Sequence, residues 1–282
     1  MEGKLTAKVI CIAGPTASGK SARAVEEALA EGGEVISVDS RQVYRGLDIG
    51  TEKVTREEMR GVPHHLIDIR EPVEPYSAGD FALDAARLIE EIAARGKLPI
   101  LAGGTHFYFD ALLSGLPGGT PPNEALRAEL AALPTEELAA RVAAADPRRA
   151  GELDPKNRRR LIRALEIVAA QGSVPPRPRA AADYQVEWIV IDPPLPALRE
   201  RIDARLAAAL ERGLVDEVAR VRAAVGDARL NELGLEYRIV GEYLRGERTR
   251  ESLFPALAAK LGQLARRQKA WLRKLAATAA AA

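Results

Sequence analysis

The 282-residue chain is long enough for one large domain, or for a main domain with a smaller one inserted. Apolar residues at 47% and charged residues at 29% exclude a disordered chain, while 41 basic against 40 acidic residues leave net charge silent about partners. One cysteine (Cys11) excludes an intrachain disulfide framework, three histidines argue against a structural zinc site, and no apolar run approaches the ~20 residues of a membrane span. The first residues run from a short apolar stretch into Gly-Pro without a cleavage pattern, so the expectation is a cytoplasmic chain with no membrane partner.

In chain order, 8–13 (KVICIA) reads as a buried strand, 21–30 as a helix, 34–39 (EVISVD) as a second strand and 65–68 as a short third. An amphipathic helix over 78–95 follows, then a strand at 98–102 and a Gly-Gly-Thr turn at 103–105. Strands alternating with helices predict an α/β fold, a parallel sheet with helices on both faces. In such sheets ligands bind beyond the carboxyl ends of the strands. A breaker cluster at 116–122 opens a strandless segment rich in Ala, Leu and Arg, and a second cluster closes it at 172–178. Strand character returns at 186–191 (VEWIVI), and helices run from 197 to 275. The predicted organisation is a core of 1–118 and 184–282 with an inserted all-helical lobe, 119–183.

The balanced total conceals two basic blocks. Residues 147–179 hold nine basic residues against three acidic ones, and 260–274 hold six against none, so the remainder of the chain is acidic. Such blocks suit a polyanion held at particular places, and they equally suit solvated helix faces.

Gly14-Pro15-Thr16-Ala17-Ser18-Gly19-Lys20-Ser21 fits the G-x-x-x-x-G-K-[ST] pattern, directly after a strand and before a helix. Glycines let backbone N–H groups converge on phosphate oxygens, and the helix N-terminus adds positive potential. Lys20 supplies a full charge, and the Ser21 hydroxyl can ligate a Mg²⁺ that bridges the phosphates. A di- or triphosphate is therefore expected here. A hydrolysing ATPase should also show an apolar strand ending in an acidic metal ligand. Strand 98–102 ends in Gly103-Gly104-Thr105, which offers only a hydroxyl. Strand 34–39 ends in Asp39, opening Asp39-Ser40-Arg41-Gln42-Val43-Tyr44, a run equipped to hydrogen-bond a heterocycle. Asp39 reads as a catalytic base, a metal ligand, or a cap or turn residue.

Taken together, GPTASGKS, ISVDSRQVYRGLDIGT, VPHHLIDI, PYSAGDF, GGTHFYFDALL, DPKNRRRLIRALEI and LARRQKAWLR resemble the tRNA dimethylallyltransferases in order and spacing. The resemblance implies a P-loop NTPase-like core and transfer of a dimethylallyl group from dimethylallyl diphosphate to adenine N6. The target adenine is position 37, just 3′ of the anticodon, in tRNAs that read codons beginning with U. It further implies a monomer whose phosphate loop, with Mg²⁺ as cofactor, holds the donor's diphosphate, so that ATP binding is suggested by the motif alone. By family position Asp39 is the base and Thr105 lies at the reacting centre. Asp39, Ser40, Arg41, Gln42, Thr105, Arg127, Arg159, Arg160, Leu161, Ile162 and Arg163 should face the tRNA. The inserted lobe would then grip the anticodon loop while the base is extruded.

Helical angles place Leu161, Ile162, Leu165, Val168 and Ala169 on one side and Arg159, Arg160 and Arg163 on the other. In the last helix Gln268 falls within a leucine stripe, so it either reaches the active site or ties the helix to a neighbouring backbone. Trp271 reads as core or as a stacking platform, and Cys11 as an inert buried thiol. His64 and His65 read as structural or pocket-wall residues, and His106 has no assigned role. Glu236 stands where the family's G-Y-[RK] segment usually has glycine, which puts any diphosphate contact by Arg238 in question. Rival readings are a P-loop kinase for a small metabolite, an adenylate isopentenyltransferase and a non-catalytic RNA-binding protein.

Overall fold

In the computed structural model, which describes residues 7–117, 120–176 and 184–279, with side chains up to residue 275, five strands form one parallel sheet. They are β1 (Lys8–Ala13), β2 (Gly33–Val38), β3 (His64–His65), β4 (Leu98–Gly103) and β5 (Gln185–Val190), in the order β3-β2-β4-β1-β5. Val9, Cys11, Ala13, Ile36, Val38 and Leu101 point to one face, against α3 (Ala78–Ala94) and α4 (His106–Ser114). Ile10, Ile12, Val35 and Ile100 point to the other, against α1 (Lys20–Glu31). Burial on both faces explains why Val9–Ala13 of β1 run continuously apolar and why β2 places Val35 and Ile36 next to each other rather than alternating with exposed residues. Cys11 is fully buried, and burial pushes its thiol pKa up, as expected of an inert core sulfur.

The third strand is shorter than expected. It pairs only at 64–65 because Leu66 and Asp68 take left-handed φ values of 62° and 55° and turn the chain away. The amides of Asp68 and Ile69 then bond to the carbonyls of Gln42 and Val43, tying this segment to the loop after β2. The short α2 (Arg56–Met59) follows that loop and is closed by a Thr55/Glu58 capping box.

Residues Met1–Leu113 with Ala182–Ala282 make one compact unit, and Ser114–Ala181 make a second. The second is all helix among its described residues: α5 (Glu124–Ala131), α6 (Thr135–Ala145), α7 (Pro147–Glu152) and α8 (Arg158–Gln171). Its core gathers Leu130, Leu138, Val142, Leu161, Ala164 and Ile167. The first unit ends in α9 (Leu195–Glu211), α10 (Leu214–Leu230), α11 (Leu235–Leu244) and α12 (Leu253–Ala279). These helices enclose a separate core with Val43, Tyr44 and Leu47 of the loop after β2. Among the described residues no helix is long and apolar enough to cross a membrane.

Buried Glu217 on α10 explains how that loop is held. Its carboxylate accepts hydrogen bonds from the amides of Asp48 (3.0 Å), Ile49 (2.7 Å) and Gly50 (2.9 Å), and from the Tyr237 hydroxyl (2.7 Å). A buried carboxylate is tolerated only when its lone pairs are met in this way.

Candidate active site

Parallel strands end on the same edge, and the register sets which residues emerge together. Ala13 pairs with Gly103 and Gly103 with Val38, so Gly14, Gly104 and Asp39 leave the sheet side by side. At about 4.8 Å per strand, Asp39 starts roughly 10 Å from the phosphate loop, with Gly104-Thr105 between them. Close approach demands glycine here: a Cβ on Gly103 would lie 2.0 Å from the Val38 carbonyl oxygen, and one on Gly14 would lie 2.6 Å from Ser18 Oγ.

Gly14 through Ser21 wrap the start of α1. Gly19, at φ 94°, caps the helix in a left-handed conformation. Pro15 is buried, and Lys20 Nζ donates to its carbonyl at 2.9 Å. Burial pushes the Lys20 pKa down to about 8, against the pull of Asp39 and with the help of Arg205. Ser18 Oγ is buried without a hydrogen-bond partner, whereas Ser21 is exposed on the first turn beside Lys20. Among the described residues no group of three His, Cys, Asp or Glu could hold a metal by itself. The exposed Ser21 hydroxyl therefore fits a divalent ion only as one ligand of an ion that takes others from bound phosphate.

Two arginines that sequence reasoning passed over complete the cleft. Arg205 on α9 donates to Thr16 Oγ1 at 2.7 Å, and Arg201, one turn earlier, points at the Ser18 carbonyl at 3.4 Å. The i, i+4 spacing on one helix face was the available signal. They wall a cleft of about 420 Å³ over the loop with Lys20, Ser21, Glu26 and Glu52.

Asp39 opens a tight turn. Its Oδ1 accepts the amides of Arg41 (2.8 Å) and Gln42 (3.3 Å), so the turn reading is correct as far as one oxygen goes. Thr105 Oγ1 accepts the Ser40 amide at 3.1 Å and lies 3.4 Å from Ser40 Oγ, which locks the Asp39 turn to the end of β4. Gln42 is half-buried, and its side-chain amide accepts from Ser37 Oγ and donates to the Thr51 and Glu52 carbonyls, bonds that any tRNA contact would have to share.

Gln268 resolves the two readings offered for it by fulfilling both. Its Oε1 accepts the Thr16 amide at 2.8 Å and its Nε2 donates to the Gly104 carbonyl at 3.0 Å. It therefore ties α12 to neighbouring backbone, and that backbone is the site. One turn on, Trp271 stacks on His106 at 4.1 Å between centroids and 10° between planes. Trp271 thus belongs with the core around Phe109 and Trp188. Burial, with Lys20 nearby, pushes the His106 pKa down to about 4, and its Nε2 has no hydrogen-bond partner. Lys269 pairs with Asp192 and donates to the Pro193 carbonyl at 2.7 Å, fixing α12 to the end of β5.

Glu236 enters the site from the first turn of α11. Burial, opposed by Arg205 and Arg41 and aided by Asp39, pushes its pKa up to about 7. Arg238 is exposed. His64 and His65 lie on β3, where His65 Nε2 meets Glu34 at 2.7 Å, a structural contact.

The remaining expected residues lie in the second unit, and the structure revises several. Leu161 is 2% exposed within the lobe core, so its side chain is not available to tRNA; Ile162 is half-buried. The buried face of α8 runs through Leu161, Ala164, Glu166 and Ile167, and Ala169 is exposed, so the expected partition is rotated. The cause is Glu166, whose buried carboxylate accepts from the Asn123 amide and pairs with both Arg127 and Arg163. Arg163 also donates to the Thr120 carbonyl at 2.6 Å, so Arg127 and Arg163 hold the lobe together. Arg159 and Arg160 are exposed.

Comparison with known proteins agrees with this architecture. A family model described as IPP transferase matches residues 42–275. A tRNA dimethylallyltransferase of Thermomicrobium roseum is 44% identical over 95% of this chain and 84% of its own length. One from Anaeromyxobacter dehalogenans is 43% identical over 95% and 92%. Among solved structures, the tRNA isopentenylpyrophosphate transferase of Bacillus halodurans is 38% identical, with a TM-score of 0.71 over 95% of this chain and 87% of that one. A eukaryotic dimethylallyltransferase solved while acting on tRNA is 28% identical, with a TM-score of 0.82 over 95% and 70%. The chain belongs to the IPP transferase family, the tRNA dimethylallyltransferases, with that family's P-loop NTPase-like sheet.

Proposed function

We propose that this chain transfers the dimethylallyl group of dimethylallyl diphosphate to N6 of adenine 37, next to the anticodon, in tRNAs reading codons that begin with U. The observation that carries the reading is the single row at the carboxyl edge of the sheet, where the phosphate loop, Thr105 and Asp39 emerge together. Adenine N6 is a weak nucleophile because its lone pair is delocalised into the ring. As N6 bonds to the allylic carbon, the carbon–oxygen bond breaks and its electron pair leaves with diphosphate. The N6 proton passes to the Asp39 carboxylate, which is oriented by the two amides that donate to its Oδ1.

Negative charge on the leaving diphosphate is met by the amides of residues 14–21, by Lys20 and by Arg205. Burial holds the Lys20 pKa at about 8, and an approaching phosphate favours its charged form, offsetting that burial. Mg²⁺, held by Ser21 and the substrate's own oxygens, would neutralise further leaving-group charge. Thr105 keeps Ser40 and the Asp39 turn in place beside the donor. Among the lobe's described residues, Arg159 and Arg160 are exposed and suited to meet tRNA phosphates.

A four-way acceptor assay tests the reading: labelled dimethylallyl diphosphate with unmodified tRNA, an anticodon stem-loop bearing the adenine, AMP, or no acceptor. Label in tRNA and stem-loop but not in AMP is expected. Label in AMP alone, or ATP hydrolysis without transfer, would overturn it. Asp39→Ala should lower single-turnover transfer by ~10²–10⁴-fold while tRNA affinity stays within a few-fold. Lost binding with normal chemistry would remove Asp39 as the base.

A further inference from the structure

Lys20, Arg41 and Arg205 share the donor site with three carboxyls, Asp39, Glu52 and Glu236. Two of these carboxyls have committed partners. Asp39 Oδ1 accepts two backbone amides, and Glu52 lies 3.1 Å from Arg212 and 3.8 Å from Arg205. Glu236 is placed differently. It stands half-buried on the first turn of α11, two residues after Gly234, whose φ of 151° favours glycine. A Cβ on Gly234 would lie 3.7 Å from Glu236 Oε2 and 3.8 Å from Arg41 Nε, so the two side chains approach each other over the bare face of this glycine. Arg41 thus stands between two carboxyls, its amide on Asp39 and its side chain near Glu236. From α9, Arg205 acts on Glu236 while donating to Thr16 of the phosphate loop. The Tyr237 hydroxyl beside it is taken by Glu217, and α12 packs Leu261 and Ala265 against Leu235.

We propose that Glu236 is a proton-linked positioning residue of the donor site, ionised against Arg205 and Arg41 while the site is empty and protonated when diphosphate occupies it. The assignment rests on the transferase reading above, in which the phosphate loop and Arg205 hold the donor's diphosphate. A bound diphosphate claims Arg205, adds negative charge beside Glu236 and displaces water, and each change disfavours an ionised carboxyl. The proton comes from solvent on binding and returns to it when diphosphate leaves. Asp39 is spared because its two amide donors favour the ionised form that a base needs. Burial, against the pull of Arg205 and Arg41, already holds Glu236 at about 7, so a modest further push completes the exchange near neutral pH. The sign is fixed: as pH rises through this value Glu236 ionises, competes for Arg205 and weakens diphosphate binding, which favours product release. A metal-ligand role for Glu236 predicts the opposite sign, because a carboxyl must lose its proton to bind a cation.

The test is calorimetric titration of the full chain with dimethylallyl diphosphate and Mg²⁺, without tRNA, in two buffers of different ionisation enthalpy across the range from neutral to mildly alkaline pH. Wild type is compared with Glu236→Gln and Glu236→Ala, which remove the titrating proton, and with Glu236→Asp, which keeps a carboxyl. Lys20, Glu52 and the donor's own phosphates take up protons in every one of these proteins, so the difference between them isolates Glu236. Wild type should take up roughly half a proton or more per donor beyond the Gln and Ala variants, and Glu236→Asp should recover part of that difference. Wild-type affinity should fall with rising pH more steeply than that of Glu236→Gln, by up to about tenfold per pH unit, the limit for one linked proton. Equal proton uptake in wild type and both neutral variants overturns the proposal and leaves the transferase reading intact. Proton release by wild type relative to Glu236→Gln overturns it in favour of a metal ligand. Wild-type protein that binds no dimethylallyl diphosphate overturns the transferase reading first, and this proposal with it.

Discussion

In the lobe, Arg127, Arg148, Arg149 and Arg163 each meet a carboxylate, whereas Lys260, Arg266, Arg267 and Arg273 on α12 meet none among the described residues. As sequence, the two basic blocks look alike. The difference lies in what each arginine is for. The lobe is small, and its buried Glu166 needs two guanidinium groups and a backbone amide to be tolerated. Helix α12 is instead anchored by an apolar stripe of Leu257, Leu261, Ala265 and Leu272, so its packing does not call on Lys260, Arg266, Arg267 or Arg273 for ion pairs. A cluster of positive charge thus identifies a binding surface only after the charges neutralised within the fold are removed.

The largest expected effect breaks the lobe side of this contrast. Glu166→Ala leaves Arg127, Arg163 and the Asn123 amide without their shared acceptor, and should destabilise the lobe by about 3–5 kcal/mol. Limited proteolysis within 114–181 and thermal melts would register it. Burial raises the Glu166 pKa, but the Asn123 amide, Arg163 and Arg127 outweigh burial and hold it below 4.5. The sign follows: its contribution is present above the ordinary glutamate range and is lost as pH falls through the depressed value. Acid should therefore loosen the lobe in wild type, and that component should be missing in Glu166→Gln.

Next in size is the inner side of α12. Gln268→Ala releases the Thr16 amide and the Gly104 carbonyl, and should lower kcat/KM about 10–100-fold, equivalent to about 1.4–2.7 kcal/mol. This change should leave the salt slope of tRNA binding untouched.

Glu236 gives a pH signature in the site. Its folded pKa of about 7 lies above the unfolded 4.5, so the folded state holds the extra proton between them and stability falls as pH rises through that window. Glu236→Gln should flatten this slope and stabilise the protein near neutral pH by on the order of 1–3 kcal/mol. Melts across that window check it, and an unchanged profile would place the carboxyl in water.

The smallest effects sharpen the comparison. Arg159→Ala and Arg160→Ala should each change stability by less than about 0.5 kcal/mol and reduce the tRNA salt slope by roughly 0.7–0.9. Arg163→Ala, by contrast, should appear mainly in the lobe's melting. If all three behaved alike, the distinction between bracing and exposed arginines would fail.

Sequence reasoning reached the sheet, the phosphate loop and the strand-end positions because apolar runs and glycine spacing are local signals. It misjudged β3 because the left-handed turns at Leu66 and Asp68 are set by the loop they bond to. Gln42, Leu161 and Arg163 were expected to meet tRNA, but the bonding and packing around each were not legible. The partners that engage them, Thr51 and Glu52, the lobe core and Glu166, act through packing that no periodicity reveals. Arg205 was passed over and His106 left without a role for the same reason: their partners, Thr16 and Trp271, are distant in sequence.

What this chain's sequence determined by itself is the set of local chemistries: a glycine loop that must bend, strands that must be covered on both faces, and helices with one apolar side. The tertiary structure decided which polar groups remain available. Charge and hydrogen-bonding capacity are properties of a residue, but availability depends on every neighbour within about 4 Å. Only folding brings Gln268 to Thr16, commits Arg163 to Glu166, and leaves Arg266 facing water.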